Sequence, residues 1–166
     1  MGEKTYHVLF LSRRNSARSI LAEALLNRDG RGRFKAYSAG VEPPTDVDPI
    51  VIDLLQSVGL PTEVRSKHYR EFANSGAREL DFVFTLSDTA AGESMPEWPG
   101  LPVTAHWSSP DPILAEGEDW ERKQAFGRAV SELERRLRIF VSLPFESLDR
   151  MSLKSSVDEI GRSRAP

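Results

Sequence analysis

Apolar positions along the chain fall into two kinds of pattern. Tyr6–Leu11 and Leu80–Leu86 are short apolar runs with little alternation, and Phe34–Ser38 and Val103–Trp107 are shorter ones. Runs of this length, bounded by turn residues, predict four strands buried in a sheet. Elsewhere the apolar residues recur at steps of three and four. Ile20, Leu21, Ala24 and Leu25 mark the face of a helix that runs to about Asn27 and is stopped by Asp29-Gly30 and Gly32. Val47, Ile50, Val51, Leu54, Leu55 and Val58 mark a second, with Asp46 as its N-cap, Pro49 in its first turn and Gly59 and Pro61 past its end. A short helix is expected around Tyr69–Ala73, with Phe72 turned inward. The last long helix opens with Glu118-Asp119, buries Phe126, Val130, Leu133, Leu137 and Phe140, and carries Arg135, Arg136 and Arg138 near its negative end. Phe145, Leu148 and Met151 then anchor the chain, and after Leu153 it turns polar.

Strands alternating with helices predict an α/β fold of three layers: a four-stranded parallel sheet with helices on both faces and right-handed crossovers. The expected organisation is one domain over 1–153 and a polar, unstructured tail over 154–166. Ligands of such sheets bind at the carboxyl ends of the strands. Three polar segments fall there: Ser12–Ser19, Ser87-Asp88 and His106–Asp111. Chain order alone therefore points Arg18, Asp88 and Asp111 at one crevice.

Composition narrows the chemistry. The 166 residues include no cysteine, which removes disulfides, thiolate metal ligands and cysteine nucleophiles together. His7, His68 and His106 show no paired metal-ligand spacing. A net charge of −3 gives no reason to expect nucleic acid or an anionic membrane as a partner. No apolar run approaches a membrane span and the start carries no signal-peptide pattern, so the expected location is cytoplasmic. Against this mildly acidic background the arginines after the first strand are a local exception, which favours a small anionic ligand.

The segment Ser12-Arg13-Arg14-Asn15-Ser16-Ala17-Arg18-Ser19 joins a strand to a helix N-terminus, where backbone N–H groups converge on one spot. The Arg18 guanidinium offers a fork that matches a tetrahedral oxyanion, while Arg13 and Arg14 add positive field. Asn15, Ser16 and Ser19 can tie the loop together. The segment equally fits an ordinary strand-to-helix turn with a capping serine. It is no nucleotide P-loop, since it lacks Gly-Lys-Ser/Thr. Asp111 sits between Pro110 and Pro112. Beside a bound anion its proton affinity would rise, suiting it to act as a general acid; alone it reads as a turn aspartate.

Ser12-x5-Arg18-Ser19 resembles the Cys-x5-Arg-Ser loop of low-molecular-weight protein tyrosine phosphatases. Asn15–Ala24 is similar to their thioredoxin-coupled arsenate reductase relatives, as are Tyr37-Ser38-Ala39-Gly40, Ser66-Lys67, Asp81–Thr85, Asp88–Glu93 and Thr104–Asp111-Pro112. The resemblance implies strand order 2-1-3-4. It further implies Arg18 as the oxyanion ligand, Asp111 as the general acid, and loop residues 13–19 as the binding cradle. No cofactor is implied beyond a potassium ion near Asn15, Glu23 and Ser38. The departures concern sulfur. Ser12 stands where the family has its nucleophilic cysteine, and the two redox cysteines of the reductases are missing near Ser87 and Met95. A serine hydroxyl stays protonated at neutral pH and attacks poorly without a base, and arsenate reduction needs thiolates throughout.

The expected function is retention of phosphate, arsenate or a phosphorylated small molecule or protein in the Ser12–Arg18 loop without turnover, as in a pseudoenzyme. Two alternatives remain at this point. One is an active reductase or phosphatase whose cysteines have been exchanged for Ser12 and Ser87. The other is a flavodoxin-like module that binds a flavin.

Overall fold

A computed structural model describes residues 4–13, 18–41, 49–57, 59–61, 67–73, 77–87, 98–108 and 117–162. The strands are β1 (Tyr6–Ser12), β2 (Phe34–Gly40), β3 (Phe82–Thr85) and β4 (Val103–His106). They form one sheet in the order β2-β1-β3-β4. Every pair is parallel, with Val8 opposite both Ala36 and Phe82, and Phe84 opposite Ala105. Order and direction are those expected from the sequence. β1 lies in the middle because its apolar run can be covered on both sides; Val8 to Leu11 are fully buried.

The helices are α1 (Arg18–Asp29), α2 (Pro49–Ser57), α3 (Asp119–Val141) and α4 (Arg150–Arg162). Short 3-10 turns occur at Tyr69–Phe72 and Phe145–Ser147. The end of α2 follows its sequence closely. Leu60 N–H donates to the Leu55 carbonyl and Gly59 N–H to that of Gln56, and Gly59 takes φ +74°, which closes the helix in a Schellman motif. At the start of α3 the Glu118 N–H donates to the Glu121 carboxylate, 3.2 Å away.

The larger core joins the even-numbered residues of β1, β2 and β3 to α1, α3 and α4. Its centre is aromatic: Trp107 stacks on Phe84 at 4.1 Å, and Phe140 meets both edge-on. The opposite face carries a smaller core of Leu9, Leu11, Val83, Tyr69 and Trp98. The 3-10 turn at Tyr69 and the residues around Trp98 thus form the third layer, and Phe72 packs inward against Tyr37.

The expected polar tail is corrected by the structure. Residues 154–162 belong to α4, with Val157, Ile160 and Gly161 buried. Only three positions on one face need to be apolar or small for the helix to dock, so the composition of the segment conceals it. Asp149 starts the helix, accepting from the Ser152 N–H at 2.8 Å. Of the expected anchors, Phe145 is buried but Met151 is 82% exposed, and Val157 is buried in its stead. Side chains also close both edges of the sheet. The Asn27 amide accepts from Ala36 N–H and donates to the Ala36 carbonyl on β2. Arg150 and Lys154 donate to the carbonyls of Pro102 and Thr104 along β4.

Two outcomes follow from this packing. Ile160→Ala should lower unfolding free energy by about 2–4 kcal/mol in urea denaturation, whereas a change in an unpacked tail would leave it unmoved. At the amino end of the sheet, burial and then the neighbouring Arg78 hold the His7 imidazole below its ordinary value, outweighing Asp81. The unfolded chain therefore binds this proton more tightly, so the stability His7 contributes is complete above about pH 6.5 and is lost as pH falls through its lower folded value. Thermal melts from pH 7 to pH 5 should fall less steeply for His7→Gln than for the parent chain.

Candidate functional site at the carboxyl end of the sheet

Parallel strands deliver their outgoing segments to one edge, and β1 supplies the centre of that edge. Ser12 is its last residue, opposite Gly40 and 2% exposed. The chain returns as α1 at Arg18, whose side chain is 6% exposed. Arg18 Nη1 donates to the Leu86 carbonyl at 3.2 Å, and Leu86 N–H donates to the Leu11 carbonyl at 2.7 Å. The guanidinium is thereby held between the ends of β1 and β3. Ser19 is fully buried and its Oγ lies 2.7 Å from Ser12 Oγ, so one hydroxyl donates to the other. Ser87, just past β3, is 5% exposed.

These four residues, Ser12, Arg18, Ser19 and Ser87, are the predicted site residues that the structure brings to one end of the sheet. Arg13 is described and exposed beside them. Arg14, Asn15, Ser16, Ala17, Asp88, Met95 and Asp111 lie outside the described residues. Of the residues implied for a potassium ion, Ser38 Oγ donates to Glu23 Oε2 at 3.1 Å, and Asn15 is outside. Among the described residues no group of three or more His, Asp or Glu side chains could hold a metal ion.

A buried guanidinium stands at the positive end of a twelve-residue helix, so helix dipole and side-chain charge add. An anion placed there would answer both. His106, at the end of β4, is turned back onto β3: its Nδ1 lies 2.8 Å from Thr85 Oγ1 and 3.1 Å from the Thr85 carbonyl. Sequence reasoning found the charged and hydroxyl residues. It missed the Leu86 carbonyl that holds Arg18 and the Thr85 hydroxyl that holds His106. A backbone acceptor leaves no mark in a sequence, and an isolated threonine in a strand reads as a β-former.

Comparison with known proteins fits this arrangement. The family described as low molecular weight phosphotyrosine protein phosphatase matches residues 7–154. An arsenate reductase of Halalkalibacterium halodurans is 29% identical over 133 residues, covering 80% of this chain and 93% of that protein. The crystal structure of an arsenate reductase from Archaeoglobus fulgidus superposes with a TM-score of 0.66 at 28% identity, covering 82% of this chain and 99% of that one. A low-molecular-weight protein tyrosine phosphatase from T. tengcongensis shares the fold, with a TM-score of 0.63 at 20% identity over 80% and 95% of the two chains. These matches displace the flavodoxin-like alternative. The chain belongs to the low molecular weight phosphotyrosine protein phosphatase family.

Proposed function

We propose that this chain binds a tetrahedral oxyanion, phosphate or arsenate or the phosphoryl group of a larger molecule, in the crevice headed by Arg18, and that it does not turn the ligand over. The observation that carries this reading is the buried Arg18 at the N-terminus of α1, where side chain and helix present positive charge to the same point. Charge-assisted hydrogen bonds from the guanidinium fork and the first N–H groups of the helix would hold the anion. Glu23 and Ser38 would supply oxygen ligands if a potassium ion accompanies it.

The absence of turnover follows from position 12. A thiolate there would attack phosphorus or arsenic directly. The Ser12 hydroxyl must lose a proton first, and the Ser19 hydroxyl beside it is no stronger as a base. Arsenate reduction would in addition need thiols at positions 87 and 95 to carry the electrons onward, and the chain holds no cysteine. The family's reaction is thus reduced here to its binding step.

Calorimetric titration with inorganic phosphate should show binding, and Arg18→Ala should weaken it about tenfold or more, the worth of a charge-assisted hydrogen bond. No heat at about millimolar phosphate, or an affinity unchanged in Arg18→Ala, would refute the reading. Ser12→Cys supplies the missing nucleophile and should raise aryl phosphate hydrolysis well above the parent's background, with loss of that gain in Ser12→Cys/Asp111→Asn. Thioredoxin-coupled arsenate turnover should stay absent in Ser12→Cys. A parent chain that hydrolyses aryl phosphate as fast as Ser12→Cys would overturn the inactive assignment.

A further inference from the structure

At the amino end of the sheet one histidine ties three segments together. His7 on β1 has its Nδ1 3.0 Å from the Tyr37 hydroxyl on β2, and the two rings stack at 6.0 Å. Arg78 reaches in from the segment that leads into β3, with Nη1 3.4 Å from His7 Nε2. A guanidinium can only donate, so Nε2 must be the accepting nitrogen. The neutral ring then carries its hydrogen on Nδ1 and donates it to the Tyr37 oxygen. Tyr37 in turn packs against Phe72 of the 3-10 turn, at 5.6 Å. The chain of contacts thus runs from residue 78 through β1 and β2 to the third layer.

A proton gained at Nε2 changes one of these contacts and spares the others. The new N–H would point at Arg78, setting donor against donor and cation against cation. The Nδ1 bond to Tyr37 keeps its direction. Asp81 is tied to His7 through the backbone: the His7 N–H donates to Asp81 Oδ2 at 2.8 Å, and the Asp81 N–H donates to the His7 carbonyl at 2.8 Å. Neither bond uses the ring. The charged groups that face the ring are Arg78, Lys35 and Asp81, and the two cations favour its neutral form. Lys35 comes from β2, with its Nζ over the Tyr37 ring, and Lys4 stands 3.5 Å from Asp81 Oδ1. Leu80 is buried and its N–H donates to the Pro99 carbonyl at 2.9 Å, so the lead-in is pinned at residues 80 and 81. Arg78 and Glu79, just before that point, are exposed, and the Arg78 arm has water to move into.

We propose that His7 and Arg78 form a pH-operated catch: the neutral imidazole holds residues 78 and 79 against the sheet through Arg78, and the imidazolium releases them while the strands stay paired. The catch is independent of the oxyanion reading. The experiment follows the full chain, labelled with nitrogen-15, by NMR from about pH 8 to about pH 4, across the histidine range. Melting temperature shows that each variant is folded. In the parent chain the neutral His7 ring should carry its hydrogen on Nδ1. Backbone order parameters at residues 78 and 79 should fall from about 0.85 to below about 0.6 as His7 takes up its proton, with β1 and β2 unmoved. Arg78→Ala should show the lower values at neutral pH already. Arg78→Gln keeps a donor and drops the charge, so it should raise the His7 titration by about half a pH unit and leave the tautomer as it is. His7→Gln should remove the pH dependence at 78 and 79. A neutral ring protonated at Nε2, a titration unmoved in Arg78→Gln, or residues 78 and 79 that stay rigid in acid would each overturn the proposal. So would the parent's loss of order persisting in His7→Gln, since it would then belong to Glu79 or Asp81.

Discussion

All four strands run in one direction, and the rest of the molecule depends on that constraint. Parallel strands cannot be joined by tight hairpins, so each connection must cross the sheet, and every outgoing segment leaves from the same edge. The edge so created belongs mainly to β1, because the strand buried on both faces is also the one flanked on both sides. Ser12 inherits its burial from that position, and Arg18 is drawn in behind it as α1 begins. The hydroxyl, the guanidinium and the helix N-terminus meet without any of them being close to the others by local preference alone.

Among the described residues, the crevice pairs a buried guanidinium with a hydroxyl where the family has a thiol. A guanidinium at the positive end of a helix is the wrong sign for helix stability and the right sign for holding an anion. The hydrogen bond between Ser12 and Ser19 keeps the geometry in which a thiolate would accept from Ser19, yet leaves a neutral oxygen in its place. Binding and reaction are separable in such a site, because the fork of donors works on a ground-state oxyanion whether or not a nucleophile stands beneath it. On the proposed reading, this member of the family keeps the first capacity and has no thiolate for the second.

Support for the exit of β4 comes from elements remote in sequence. The aromatic centre around Phe84, Trp107 and Phe140 fixes α3 against the sheet, which in turn carries Arg136 to the exit of β4. α4 closes the outer edge of β4 with Arg150 and Lys154 and reaches the same exit with Val157 and Gly161. A polar helix can do this because its contacts are to backbone carbonyls and through a single glycine.

The strand runs, the three- and four-residue spacings of α1 and α3, the Gly59 stop and the position of Arg18 at a strand-to-helix turn were legible in the sequence. In each case one local pattern dominates over a stretch of residues: burial on both faces, a wide apolar stripe, or a glycine whose φ +74° no other residue adopts as readily. The identity of Ser12 likewise determined the limit on chemistry, since a hydroxyl is a hydroxyl in any fold. Tertiary structure alone decided the rest. The polar stretch after Leu153 became a helix because α3 and β4 offer it a surface. Arg136, one of several arginines near the end of α3, became fully buried because two carbonyls from other elements converge on it. Leu86 and Thr85 acquired their roles through a backbone oxygen and a strand neighbour. Contacts between residues far apart in the chain, and contacts made by the backbone, leave no periodicity to read, and these are the contacts that join the helices to the strand ends.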